Sequence, residues 1–222
     1  LGISPAFTLI GYLSGSDAWV NAGAWVVEPW PMFIIGSAIL ILSGIILSSG
    51  MRFYLATQRY VFSAAVIGSI LLIVFLTGGT NEEFIAKFNA LMAPILETEK
   101  PYQAIIASGK ENGWSWDGTT DWTQTWLVSN WPFLPLIGSA FSIAIGGEVK
   151  SVEKSHTYGM LGAILGATII WLITITLCID VFGWEFLGTA AFNYTEGVGL
   201  QTDPTITLLT GVLTGSAVVC VL

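Results

Sequence analysis

The residues best suited to chemistry lie in one apolar stretch, residues 131–147, which reads WPFLPLIGSAFSIAIGG. Pro132 and Pro135 each remove a backbone donor, and Gly138 lowers the cost of leaving helical geometry. In hydrocarbon every freed amide or carbonyl must find a partner, so a helix break there faces protein, ligand or a wet cavity. The pattern therefore predicts a binding site in a broken membrane helix. The alternative is an unbroken helix with both prolines in its first turn and small residues at a tight helix crossing.

A break at this point would present backbone carbonyls to a ligand. The carbonyl end of the first half-helix, near Leu136 to Ser139, gathers partial negative charge and suits an ammonium group. The Phe141 side chain would form the apolar wall of the site. The predicted substrate-binding residues are Leu136, Ile137, Gly138, Ser139, Ala140 and Phe141.

Other reactive side chains are few. His156 is the only histidine, and Cys178 and Cys220 fall inside apolar blocks without a metal-like spacing. We therefore expect no metal or other cofactor and no enzyme activity. A membrane redox enzyme would need metal ligands that this sequence lacks.

The chain that carries these residues is strongly apolar. Hydrophobic residues make up 54% of it and charged residues 10%, against roughly a quarter charged in an ordinary soluble domain. Five blocks are near the length needed to cross about 30 Å of hydrocarbon. The predicted spans are residues 32–49, 60–77, 131–147, 158–179 and 205–222. The predicted fold class is an all-α polytopic membrane protein.

Three further segments complete the organisation. Residues 1–13 are expected to be a helix remnant that leads into a tryptophan-bearing loop. Both ends of the chain look cut, so a fragment of a longer protein is expected. The long segment 78–130 contains EEFIAKFNALMAPIL, which predicts an interfacial amphipathic helix, and PYQAIIASGKENG, which predicts a second helix ending at a glycine.

The orientation follows from the basic residues of the short connections. Arg52 and Arg59 lie between the first two spans, and Lys150 and Lys154 lie between the third and fourth. Short basic loops stay preferentially in the cytoplasm. The acidic, tryptophan-rich segments are then outside, and the expected location is the plasma membrane.

Three stretches resemble permeases of the amino acid–polyamine–organocation superfamily. GGEVKSVEKSHTYGMLGAILGA, from Gly146 to Ala167, is similar to the end of that family's sixth helix, although Ser151 and Val152 replace its usual Asn-Pro. GMRFYLATQRYVFSAAVIGS resembles the join of its fourth and fifth helices, and FIAKFNALM resembles the exit of its fifth. The resemblance implies helices four to eight of a leucine-transporter-like inverted-repeat bundle, with the sixth helix unwound around Gly138.

The same resemblance implies roles for other residues. Glu148 would be part of an inner gate, with a solvated loop charge as the alternative. Thr214 and Ser216 would offer hydroxyls to a sodium ion, whereas bonding back to helix carbonyls is the commoner use of such side chains. Val66 holds the position at which some proton-coupled relatives carry a lysine. The coupling ion, Na+ or H+, stays open.

The function that these observations favour is secondary transport of an amino acid or a related small amine by alternating access. No span carries a charged side chain, and an unpaired charge at the membrane centre is costly. A zwitterionic amino acid with a neutral side chain therefore fits best. The alternative is a non-transporting membrane subunit that scaffolds a larger complex. The expected partners are the lipid bilayer and the small substrate, and nucleic acid is not expected.

Overall fold

The computed structural model of the 222-residue chain describes residues 3–116, 119–129, 151–198 and 203–220. Every regular element in these ranges is helical. The chain divides into two compact units, one of Leu1–Trp114 with Thr176–Leu222 and the other of Ser115–Ile175. The predicted broken span, residues 131–147, lies outside the described residues.

Ten α-helices are described in these ranges, and the last of them leads into a 3-10 turn. They are α1 (Ile3–Ser14), α2 (Asp17–Val26), α3 (Pro29–Ser48), α4 (Met51–Gly78), α5 (Asn81–Leu96), α6 (Pro101–Glu111), α7 (Trp122–Val128), α8 (Val152–Phe182), α9 (Trp184–Thr195), α10 (Ile206–Thr214) and the turn Ala217–Cys220.

Three of these helices are long and apolar enough to cross a membrane: α3, α4 and α8 from Glu153 onward. Only 6%, 11% and 6% of their most apolar windows are buried within the protein. Apolar surface of this extent needs hydrocarbon or further protein around it. These helices contain the predicted spans 60–77 and 158–179 and all of 32–49 except Ser49, which indicates a membrane protein.

Helices begin earlier than the hydropathy pattern predicts. The α4 helix starts directly after Gly50, which has φ 97°, so the expected loop bearing Arg52 is helical. The α8 helix starts directly after Ser151, which has φ 57°. The Ser155 amide donates to the Ser151 carbonyl at 3.0 Å, so helical hydrogen bonding already begins at Ser151. Neither segment contains a proline or an internal glycine, so helix continues up to the residue with positive φ.

The tryptophan-bearing segment 14–31 is also mostly helical. Asp17 occupies the first turn of α2, where a carboxylate favours the positive end of the helix. Pro29 occupies the first position of α3, where its missing amide is not needed. The Ser4 hydroxyl of α1 donates to the Gly23 carbonyl of α2 at 2.8 Å, which ties these two helices together.

The predicted fifth span, residues 205–222, differs most from the structure. The α10 helix has 9 residues, about 13 Å in length, which cannot cross about 30 Å of hydrocarbon. Gly215 follows with φ 67°, and the Ser216 amide donates to the Gly211 carbonyl at 3.1 Å. This glycine closure ends the helix. Continuous hydrophobicity predicted one span, but the Gly-Ser pair divides its described part into α10 and the 3-10 turn.

The segment after α4 contains the two predicted helices, α5 and α6. Thr80 caps α5 by accepting from the Glu83 amide at 3.3 Å. The apolar stripe of α5, which includes Phe84, Phe88 and Met92, is buried. The sequence predicted that this stripe would face a membrane interface, whereas in the structure it packs within the protein core. The α6 helix ends two residues before Gly113, which has φ 106°.

Candidate functional site

The structure describes only two of the predicted site residues. The substrate-binding set 136–141 and the predicted gate Glu148 lie outside the described ranges. Thr214 is the last residue of α10, and Ser216 lies between Gly215 and the 3-10 turn. The described part of the candidate site therefore lies around α10.

Threonine hydroxyl groups occur at intervals along α10 and at its N-cap. Thr205 caps the helix by accepting from the Leu208 amide at 3.3 Å, and its hydroxyl is 3.2 Å from that of Thr207. The fully buried Thr210 donates to the Ile206 carbonyl at 2.8 Å. Thr214 donates to the Thr210 carbonyl at 2.9 Å. These hydroxyl protons are used within the helix, which is the local bonding that threonine commonly makes.

The C-terminal end of α10 is already bound by the ammonium group of a lysine side chain, Lys87. The Lys87 ammonium of α5 donates to the Leu213 carbonyl at 2.6 Å and pairs with the Glu83 carboxylate at 2.8 Å. A cation suits the partial negative charge at a helix C-terminus. A sodium ion at Thr214 and Ser216 would lie close to this ammonium, whose charge opposes it. The capping role of Lys87 could not be predicted from the sequence, where only its i,i+4 pairing with Glu83 is visible.

Replacing Lys87 with methionine is expected to lower the free energy of unfolding by about 1–2 kcal/mol. The change removes a charged hydrogen bond, discounted because the side chain is partly exposed. Thermal unfolding of the full-length protein in detergent measures this loss. Lys100→Met is the control, since Lys100 makes no side-chain bond to another described residue. Equal effects of the two variants would contradict the capping role.

The N-terminal half of α10 lies beside the last third of α4. A cavity of about 220 Å³ separates them. Its described lining residues are Gly68, Ser69, Leu72, Phe75, Thr207 and Val219. At the other end of α10, a Cβ added to Gly79 would lie 2.6 Å from the Leu213 side chain, so Gly79 permits close contact. The α10 helix thus runs beside the last part of α4, with its C-terminal end at Gly79.

An aromatic cluster holds α5, α6, α9 and the last turn of α8 together. Phe84 is fully buried, with its ring centroid 4.7 Å from that of Phe182 and 5.6 Å from that of Phe186. Tyr102 stacks on Phe186 with 4.6 Å between centroids. Aromatic contacts of this kind add stability beyond the burial of their area. The cluster fixes α5, which carries Lys87, against α6, α9 and the last turn of α8.

Buried hydrogen bonds fix the direction of the chain at the α8–α9 junction. The Tyr102 hydroxyl donates to the Phe182 carbonyl at 2.9 Å, and the side-chain amide of Asn81 donates to the Val181 carbonyl at 2.9 Å. Burial raises the pKa of the Tyr102 hydroxyl, a hydrogen bond with Asn81 lowers it, and the Glu185 carboxylate raises it further. The net shift is upward, so the hydroxyl stays protonated at neutral pH and remains a donor.

The described residues therefore offer two helix ends, a row of hydroxyls and a small cavity beside a helix of spanning length. No group of three or more His, Cys, Asp or Glu side chains suited to a metal ion occurs in the part of the chain that the structure describes. Such an arrangement can bind a small neutral group without covalent chemistry.

No protein-family model matches the chain, and no curated protein or solved structure is significantly similar to it.

Proposed function

We propose that the protein is a secondary transporter that carries an amino acid or a related small amine by alternating access. The supporting observation is an interrupted helix beside a helix of spanning length: the backbone leaves helical geometry at Gly215 and Ser216, between α10 and the 3-10 turn. Thr207 in the first turn of α10 and Val219 in the 3-10 turn line one cavity with Gly68 to Phe75 of α4. In a membrane such backbone is tolerated only where it packs in protein or lines a cavity. Interrupted helices around a midplane site are typical of secondary transporters.

The scaffold alternative explains less of this architecture. A subunit that only holds a complex together can satisfy all of its backbone groups within continuous helices. It has no need of the glycine turn at Gly215 or of a cavity beside α4. The transporter proposal uses both features.

The proposed orientation places the basic residues Arg52, Arg59, Lys150 and Lys154 in the cytoplasm of a cell with this protein in its plasma membrane. The layer formed by α5, α6 and α9 is then extracellular. Its surface carries carboxylates such as Glu82, Glu111 and Glu196, and α9 begins with the partly exposed Trp184. Tryptophan is favoured where a chain enters the headgroup region.

The proposed substrate is a neutral amino acid bound along residues 136–141, with its ammonium group on the backbone carbonyls near Gly138. Glu148 is proposed as part of the inner gate. The described parts of α3, α4 and α8 carry charged side chains only near their ends, such as Arg52, Lys154 and Asp180. A substrate with a net charge would lack a counter-charge on these helices at the membrane centre. The coupling ion is Na+ or H+.

Full-length protein in proteoliposomes tests this proposal. We expect uptake of neutral amino acids, and Gly138→Leu is expected to reduce Vmax/KM by about tenfold or more, because the added side chain fills the site. Gly44→Leu in α3 is the control, since nothing lies within 4 Å of a Cβ at Gly44.

Two results would contradict the proposal. Uptake of a carboxylate-only anion, with no flux of amino acids or amines, would exclude the substrate class. Absence of flux for all of these compounds in correctly inserted, folded protein would favour the scaffold subunit instead.

A further inference from the structure

The cavity beside α4 is elongated along that helix. Its described lining residues are Gly68, Ser69, Leu72 and Phe75 of α4, Thr207 of α10 and Val219 of the 3-10 turn. The four residues of α4 recur at the spacing of one helical face. At about 1.5 Å per residue they extend over roughly 10 Å of the helix. The cavity is therefore a groove that runs parallel to the α4 axis.

The groove lies within the part of α4 that crosses hydrocarbon. Gly68 is at the middle of the uncharged block 60–77, and only 11% of the most apolar window of α4 is buried within the protein. The middle of such a block lies near the midplane when the helix spans the bilayer. The Gly68 end of the groove is then at the depth where acyl chains end, and the Phe75 end is nearer to the headgroups.

The walls of the groove favour hydrocarbon over water. Three of the described lining residues present only apolar side-chain atoms: Leu72, Phe75 and Val219. The Ser69 hydroxyl donates to the Ala65 carbonyl at 2.9 Å, so its proton is already used. The Thr207 hydroxyl lies 3.2 Å from that of Thr205. A bound water needs two to four polar partners, which walls of this composition do not supply.

The mouth of the groove is continuous with the lipid-facing surface of α4. The floor is buried at Gly68 and Val219, whereas the remaining described lining residues are partly exposed. Beside them on α4, the Ile70 and Val74 side chains are 53% and 57% exposed. These side chains meet lipid when α4 spans the bilayer. A lipid chain can therefore enter the groove sideways without passing through water.

The volume of the groove suits part of one lipid chain. It measures about 220 Å³. An engineered apolar cavity of about 150 Å³ binds benzene, so by the same ratio this groove holds roughly nine carbon atoms. Left empty, its walls would lose the dispersion contacts that a filling chain provides.

We infer that this groove binds the end of one phospholipid acyl chain from the surrounding bilayer. The chain lies along α4, with its terminal carbon atoms at Gly68 and its earlier carbon atoms at Phe75. It fills the space between α4, α10 and the 3-10 turn. This lipid site is independent of whether the protein transports a substrate.

Photolabelling of the full-length protein tests the inference. The protein is placed in phosphatidylcholine vesicles that contain a phosphatidylcholine with a photoactivatable diazirine at the end of one acyl chain. After irradiation, peptide mass spectrometry locates the adducts. We expect several-fold more adducts at Leu72 and Val219 than at Val74 on the outer surface of α4. A second probe, with the diazirine beside the glycerol ester, should label Leu72 and Val219 several-fold less.

Two variants fill the groove from different positions. Gly68→Leu fills its buried end, and Ser69→Phe fills its partly exposed mouth. Each is expected to reduce the adducts at Leu72 and Val219 several-fold and to leave those at Val74 unchanged. Gly44→Leu in α3 is the control with no expected change, since nothing lies within 4 Å of a Cβ at Gly44. Should Gly68→Leu not fold, Ser69→Phe decides.

Three results would overturn the inference. Similar adducts at Leu72, Val219 and Val74 in the unmodified protein and in both filling variants would mean that lipid only surrounds the protein. Adducts confined to Val74 would mean that another occupant, such as a second copy of the chain, covers the groove. Equal labelling of the groove by the two probes would contradict a bound chain end.

Discussion

Phe84→Ala is expected to lower the free energy of unfolding by about 3–5 kcal/mol, the range for truncation of a buried phenylalanine. The Phe84 side chain is 0% exposed and its ring contacts those of Phe182 and Phe186. Removing it leaves a cavity at the point where α5, α6, α8 and α9 meet. Thermal unfolding of the full-length protein in detergent should show a fall in Tm of about 10 °C.

Phe62→Ala is the matched control for this prediction. Phe62 lies on α4 and is 68% exposed. Its truncation leaves no internal void, so a change in Tm several times smaller is expected. A Phe84→Ala variant that unfolds within about one degree of the Phe62→Ala variant would show that the aromatic cluster does not support the fold.

Gly183→Ala is expected to lower the free energy of unfolding by about 2–4 kcal/mol, from backbone strain together with a steric clash. Gly183 has φ 82°, and a Cβ added there would lie 2.6 Å from the Tyr102 hydroxyl oxygen. The hydroxyl donates to the Phe182 carbonyl and cannot retreat without breaking that bond. The variant should therefore lose stability through both causes, as measured by the same thermal unfolding.

Gly197→Ala separates the two causes. Gly197 has φ 71°, but nothing lies within 4 Å of an added Cβ, so this variant carries the backbone strain alone. Combining Gly183→Ala with Tyr102→Phe removes the clashing oxygen and should recover part of the loss, a coupling that a double-mutant cycle measures. Equal losses for Gly183→Ala and Gly197→Ala, with no coupling to Tyr102, would contradict the clash.

The long helices could be predicted from sequence because length and hydropathy are local quantities. Residues 60–77 and 158–179 lie within α4 and α8, and the helices after α4 were visible in the spacing of apolar residues such as Phe84 and Phe88. Helix ends were less predictable. Arg52 looked like a loop residue because charge marks the end of an apolar block, whereas the backbone changes direction only at Gly50.

The candidate site could be predicted only in part. The resemblance implied that Thr214 would offer a hydroxyl to a sodium ion within the last predicted span, and the structure places Thr214 at the end of α10. The contact of the Lys87 ammonium with this helix end could not be predicted, because Lys87 is 126 residues away from Leu213 in the chain. The same is true of the cavity, which joins Gly68 to Thr207. A single sequence contains no signal for pairs at such distances.

The sequence by itself determined that the described chain is helical and that three of its helices are long and apolar enough to cross a membrane. Uncharged runs of this length can satisfy their backbone groups in hydrocarbon only as helix. The tertiary structure alone decided that the described residues 205–220 are divided at Gly215 into α10 and a 3-10 turn, and that α10 lies beside α4 with Lys87 at its end. The physical reason is that hydropathy records how much apolar surface a segment has, whereas packing against Gly79 and α5 decides which surface it meets.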